Sequence, residues 1–342
     1  ALDEPFYVGE RGEDRLGSGV GLCDFDGDGW QDLAVGAYQD EDNEDETAVV
    51  QAGAIHLFRG GPSGFAEAPS TIRYGEIPDG DGGWTSFPVR LGRRIRTADL
   101  DGDGRCDLLS TTYHGNVDGS GQDGIVTLYR GHADTLVEPH PHRMLTYTGT
   151  ATNAVATWAV DLGDLDGDGV LDLALGSYQL GRGTVHVYPG AMLLADGPVV
   201  RSISDATWAF VGDQGGDQTG QSVSVGDADG DGLDDLLIGA FQDEYPAGVN
   251  NTGQAWLLTG AKLRTLSPGT TTLQAVGATA IERHEGGYGE GVLVSIVGDT
   301  DGDGDSELLV HALRGPSNAF AGYPEVLSLD GEDAWPLDLP HG

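Results

Sequence analysis

Aspartate occupies positions 1, 3, 5 and 9 of the stretch Asp24-Phe25-Asp26-Gly27-Asp28-Gly29-Trp30-Gln31-Asp32, and glycine occupies positions 4 and 6. Carboxylate oxygens at this spacing, on a chain that two glycines let turn tightly, can wrap a hard cation. Calcium is the ion expected. The pattern returns with Asp99, Asp101, Asp103 and Asp107, with Asp164, Asp166, Asp168 and Asp172, and with Asp227, Asp229, Asp231 and Asp235. It returns a last time with Asp299, Asp301, Asp303 and, at position 9, Glu307. The residues at position 7, Trp30, Arg105, Val170, Leu233 and Asp305, complete the candidate ligand set, and about five ions are expected, one per loop.

A helix-flanked calcium loop would carry a glutamate at position 12. Here that position holds Val35, Ser110, Leu175, Ile238 and Val310. Each loop is instead followed by a short apolar run such as Leu33-Ala34-Val35 or Leu236-Leu237-Ile238, too short for a helix before the next glycine or turn. The loop therefore joins two strands.

Loop-to-loop spacings of 63 to 75 residues leave room for about four short strands per repeat. The first strand runs into the loop (17–22, 94–97, 159–162, 222–225 and 294–297) and the second runs out of it. A third is rich in β-branched and aromatic residues (53–58, 124–129, 183–188, 253–258 and 325–329). The fourth is placed at 71–75, 144–147, 207–212 and 273–277. After the fifth repeat the prolines around Trp335 make a poor strand. Residues 6–10 resemble the segment at 210–213, so the N-terminal strand is expected to complete the last sheet and leave no edge unpaired. The expected fold is all-β: one domain, 1–342, forming a five-bladed β-propeller of four-stranded blades. The repeats cover approximately 10–75, 76–148, 149–212, 213–277 and 278–342, with 1–9 closing the last blade.

These units resemble the FG-GAP repeats of the integrin α-chain propeller and of bacterial surface proteins. The resemblance is carried by a glycine-containing first strand, the Asp-x-Asp-Gly-Asp-Gly-x-x-Asp loop, and then Gly36-Ala37-Tyr38 or Gly239-Ala240-Phe241. It implies an extracellular, secreted or cell-surface adhesion or binding module with a protein or carbohydrate ligand. The integrin ring has seven blades with metal in only some, whereas all five visible units here carry the loop, and no integrin partner domain is present.

In such a blade the metal loops share one face and the variable loops the other, where ligands are expected. Tyr38, Tyr113, Tyr178 and Phe241 occupy one aligned position there, and Leu313 replaces the aromatic in the fifth repeat. They could stack on a ligand; the plainer reading is that they pack between blades. Arg90, Arg93, Arg94 and Arg96 crowd one first strand, and Arg94 and Arg96 are candidates for an anionic ligand group. Their alternative is pairing with the protein's own acids, for instance Asp161. An acidic run from Asp40 to Glu46 could hold another cation or a basic partner; the plainer reading is a solvated loop. His284, between Glu282 and Glu285, is the one cluster worth testing for acid–base chemistry, and a polysaccharide-acting lyase or hydrolase is the rival reading. A purely architectural domain of a larger surface protein is the third.

Fifty-six acidic against 17 basic residues give a net charge of −39, and Lys262 is the only lysine. That balance argues against nucleic acid or anionic lipid as partner. Without metal, the loop carboxylates would also repel one another. Apolar residues make up 38% of the chain, enough for a core. No apolar run is long enough to insert into a membrane and no basic-then-apolar leader is seen, so a monomer or part of a larger chain is expected. Two cysteines, Cys23 and Cys106, exclude a disulfide framework. Whether they pair depends on bringing their Cα atoms within about 7 Å, which the sequence cannot supply.

Overall fold

The computed structural model describes residues 7–8, 14–40, 52–112, 124–146, 157–178, 181–241, 253–281, 293–312, 323–327 and 329. It comprises two compact units, Ala1–Thr157 with Leu194–Asp205, and Trp158–Leu193 with Ala206–Gly342.

In the first unit, repeat 1 forms an antiparallel sheet of Leu16–Cys23, Asp32–Ala37, Ala54–Phe58 and Thr71–Tyr74, in sequence order. Repeat 2 does the same with Arg94–Ala98, Asp107–Thr112, Ile125–Tyr129 and Arg143–Thr146. Here the sheet gains a fifth strand that sequence reading did not place. Val200–Ser202 pairs in parallel with the fourth strand, Leu145 opposite Arg201. Both third strands are buried at every residue, as expected of strands covered on both faces. Phe25, Leu57, Leu108, Tyr129 and Met144 lie in one core cluster.

The second unit repeats the plan. Ala159–Gly163, Asp172–Ser177, Thr184–Tyr188 and Trp208–Val211 form the sheet of repeat 3, extended in parallel by Gly269–Thr272. Repeat 4 comprises Thr219–Gly226, Asp235–Ala240, Gln254–Leu258 and Thr279–Ile281. Its fourth strand is not at 273–277, where Leu273–Val276 is a helical turn instead. The Thr272 side chain accepts the Ala275 N–H at 3.2 Å and Gly277 ends the turn at φ +75°. Cap and stop thus override the apolar run between them. In repeat 5 the described strands are Leu293–Ile296, Leu308–Ala312 and Tyr323–Leu327, the last starting two residues earlier than expected. Tyr7 and Val8, from the segment expected to close the last sheet, are in no strand.

Some glycines are set by the approach of neighbouring repeats. A Cβ on Gly36 would lie 1.7 Å from the carbonyl oxygen of Gly92, and one on Gly176 would lie 2.1 Å from that of Gly220. Only a hydrogen fits at these crossings.

Candidate metal centres

In repeats 1 to 4 the Asp-rich loop begins where the first strand ends and stops where the second begins, so the strand pair fixes its two ends. Cys23 pairs with Asp32, Ala98 with Asp107, Gly163 with Asp172 and Gly226 with Asp235. Position 2 anchors the loop from below: Phe25, Leu100, Leu165 and Ala228 are buried. The glycines at positions 4 and 6 have positive φ in all five loops, 77° and 90° in the first and 87° and 107° in the fifth. A side chain there would be strained.

This backbone turns its N–H groups onto the carboxylates. Asp24 Oδ1 accepts from Gly27 at 2.7 Å and from Asp28 at 3.2 Å, while Oδ2 accepts from Gly29 at 2.8 Å. The position 3 carboxylate accepts from the N–H at position 5, and position 5 from position 7, for example Asp26 from Asp28 and Asp28 from Trp30. The same bonds recur in loops 2 to 5.

Oxygens of positions 1, 3 and 9 converge within 4.8 Å in loops 1, 3 and 4; in loop 2 positions 1, 3 and 5 do so, and in loop 5 all four. Two position 1 oxygens, Asp164 Oδ1 and Asp227 Oδ1, are buried with no hydrogen-bond partner. A buried carboxylate oxygen without a donor is costly unless a cation faces it. The converging oxygens therefore fit a hard divalent ion.

Position 9 has a second task. Asp32 Oδ2 accepts from Phe25 N–H at 3.0 Å and Oδ1 from Gly60 N–H at 2.7 Å, tying the loop to the end of the third strand. Asp107 does this through Leu100 and Gly131, Asp172 through Asp166 and Gly190, and Asp235 through Ala228 and Gly260. Glu307 accepts from Thr300. Burial pushes the carboxyls of Asp107 and Asp172 up to about 7 and that of Asp235 up to about 6, against the pull of these N–H bonds.

Family models match the segments that carry loops 1 to 4. The FG-GAP repeat model matches residues 16–58 and 219–258, and the FG-GAP-like repeat model matches 99–175. The chain carries FG-GAP repeats. Human integrin alpha-IIb is 31% identical over 186 residues, 53% of this chain and 16% of that protein. Integrin alpha-4 of Xenopus laevis is 28% identical over 230 residues, 66% of this chain and 20% of that protein. The FG-GAP chain thus spans between a sixth and a fifth of the length of these curated relatives. Among solved structures, exotype rhamnogalacturonan lyase YesX aligns at TM-score 0.40 and 15% identity, over 93% of this chain and 56% of that one. Rhamnogalacturonan lyase YesW aligns at 0.43 and 14%, over 92% and 49%. Scores this low carry nothing about function.

Two of the aromatic candidates, Tyr38 and Tyr178, have intramolecular partners. Arg93 lies 4.8 Å over the Tyr38 ring, and Tyr178 meets Trp158 edge to face at 5.2 Å. Phe241 is half-buried. Arg94 is half-buried at the start of its strand and Arg96 is exposed two residues on, while Asp161 accepts from Val225 N–H at 2.9 Å. Tyr113 and His284 lie outside the described residues. Cys23 and Cys106 are bridged, with Cα atoms 5.8 Å apart. Among the described residues no helix is long and apolar enough to cross a membrane.

Proposed function

We propose that the chain is a calcium-stabilised extracellular binding or adhesion module whose five FG-GAP repeats form the blades of one closed β-propeller. The N-terminal segment completes the last blade. A protein or glycan ligand binds on the face opposite the metal loops, where Tyr38, Arg94, Arg96, Tyr113, Tyr178, Phe241 and His284 are the candidate contacts. The observation that carries the reading is the repetition of one preorganised carboxylate loop in every repeat, within a chain similar to integrin α-chains.

Several features support its parts. Tyr7 packs edge to face on Phe58 at 5.1 Å, beside His56. Phe210, its counterpart before repeat 4, shares a cluster with Trp256 and Leu258, which stand where His56 and Phe58 do. That parallel supports closure by the N-terminal segment. Abundant calcium and a disulfide both suit an oxidising space outside the cell.

The test is metal content together with thermal unfolding, in calcium and after chelation by EGTA, followed by protein and glycan arrays probed in calcium. Bound calcium, a large loss of stability on chelation and calcium-dependent capture of one ligand class are expected. A chain that binds no calcium, or captures nothing when loaded, would overturn the reading.

A further inference from the structure

The five loops share a pattern but not an electrostatic setting. In loop 1 the Arg59 guanidinium contacts Asp26, whose side chain is only 1% exposed. Arg59 is fixed in place by donating to the carbonyl oxygens of Ala133 and Asp134, each at 3.3 Å. In loop 2 two arginines face the carboxylates. Arg130 Nε lies 3.7 Å from Asp101 Oδ2, and Arg105 Nη1 donates to Asp103 Oδ2 at 2.5 Å. Arg130 is anchored in turn on the Leu194 carbonyl at 2.9 Å.

Arg59 and Arg130 are equivalent residues, each directly after a third strand and before the glycine that caps the position 9 carboxylate. Repeats 3 and 4 have Pro189 and Thr259 there. Arg264 lies over Gly167 of loop 3 but makes no ion pair among the described residues. Loops 3 and 4 are also the two whose position 1 oxygens are buried with no donor.

We propose that Arg59, and Arg130 with Arg105, are built-in counter-cations that make loops 1 and 2 the weak metal sites of the chain, while loops 3 and 4 take their ion first. A divalent ion entering loop 1 meets a carboxylate already neutralised in a buried place. It must displace the guanidinium or share Asp26 with it, and the two cations repel at short range. In loop 2 the pairs are more exposed and individually weaker, but there are two. In loops 3 and 4 no described guanidinium pairs with the buried position 1 oxygens. The inference rests on the calcium reading given above.

Trp30, at position 7 of loop 1 and 48% exposed, makes the test site-specific. The other loops carry no tryptophan. Terbium replaces calcium and is excited through a nearby indole, so the part of its emission lost in Trp30→Phe reports loop 1 alone, while equilibrium dialysis of the full chain with calcium reports total uptake. Loop 1 emission should rise only after other sites have filled. Arg59→Gln should move it to concentrations lower by on the order of tenfold, and Arg59→Lys, which keeps the charge, should not. Arg130→Gln should tighten a second weak site in dialysis. Simultaneous filling of all sites, or no shift in either glutamine variant, overturns the inference while leaving the calcium reading intact. No calcium uptake at all defeats that reading itself. Should Arg59→Gln unfold, the Arg130→Gln dialysis and the wild-type filling order decide.

Discussion

The Cys106 N–H donates to the Asp24 carbonyl oxygen at 2.8 Å, and its sulfur is bridged to Cys23, the residue before Asp24. Position 8 of loop 2 is thereby fastened to the start of loop 1. The same two positions meet between loops 4 and 5, where Ser306 Oγ donates to the Asp227 carbonyl at 2.7 Å. Between loops 3 and 4, Asp234 Oδ2 accepts the Asp164 N–H at 2.7 Å. One position thus staples successive loops by three different chemistries.

The disulfide is the strongest of these staples, because it closes a sequence separation of 83 residues. A Cys23→Ser, Cys106→Ser double variant should lose roughly 2–4 kcal/mol of stability, most of it recoverable as a matching loss when the parent is reduced. Denaturant unfolding of parent and variant, with and without reductant, checks this. A variant as stable as the oxidised parent would show that the loop contacts alone fix this junction.

The position 9 carboxylates predict a separation of structure from metal affinity. Asp172→Ala removes the acceptor for Gly190 and Asp166 N–H groups at a site with 0% exposure. Stranding buried donors costs roughly 1–3 kcal/mol each, so the variant should be clearly destabilised even without calcium. Asp168, exposed at position 5 of the same loop, should behave differently. Asp168→Ala should leave the metal-free melting temperature nearly unchanged and reduce only the gain that calcium confers. Melting curves of both variants with EGTA and with calcium make the comparison.

What the sequence discloses divides along the range of the interactions. Loop geometry is legible because it is local: aspartate spacing and paired glycines determine the turn, and the strands entering and leaving it follow from the apolar runs. Position 9's bond to Gly60, by contrast, joins a loop to a glycine 28 residues away. A recurring glycine after the third strand of repeats 1 to 4, Gly60, Gly131, Gly190 and Gly260, was the available signal. A Cβ at Gly60 would lie 2.0 Å from the Gln31 carbonyl oxygen. Arg59 and Arg130 read as ordinary surface cations until the fold brings each over its loop. Val200–Ser202 and Gly269–Thr272 escaped because short parallel strands borrowed from the following repeat leave no periodic trace. The helical turn at Leu273–Val276 escaped because four apolar-to-neutral residues do not distinguish strand from helix without weighing the flanking Thr272 and Gly277.

Glycine replacement separates two causes of glycine use. Gly176→Ala forces its new methyl into the Gly220 backbone, where the nearest oxygen would be 2.1 Å away and cannot rotate aside. Overpacking of this kind typically costs 1–3 kcal/mol or more. Gly232→Ala meets nothing within 4 Å, yet the residue sits at φ +84°. Left-handed strain should cost it about 1–2 kcal/mol. The Gly176 variant is expected to melt lower than the Gly232 variant in EGTA, and chemical denaturation under the same conditions provides the ranking. The reverse order would mean that the sheets of repeats 3 and 4 can part without cost.

The raised carboxyls set a pH dependence whose sign differs with and without metal. Asp107 and Asp172 are pushed up to about 7 and Asp235 up to about 6, chiefly by burial, whereas an unfolded aspartate titrates near 4. Between about pH 4 and pH 7 the metal-free folded chain therefore binds more protons than the unfolded one, and its stability falls as pH rises. Calcium requires the ionised form, so its binding tightens across the same window. Unfolding in metal-stripped buffer should give melting temperatures that decline from about pH 5 to about pH 7.5, while the increment on adding calcium grows. A metal-free melting temperature that rose through this window would mean that the position 9 carboxylates are held ionised by their backbone donors, and that calcium is not needed to keep them so.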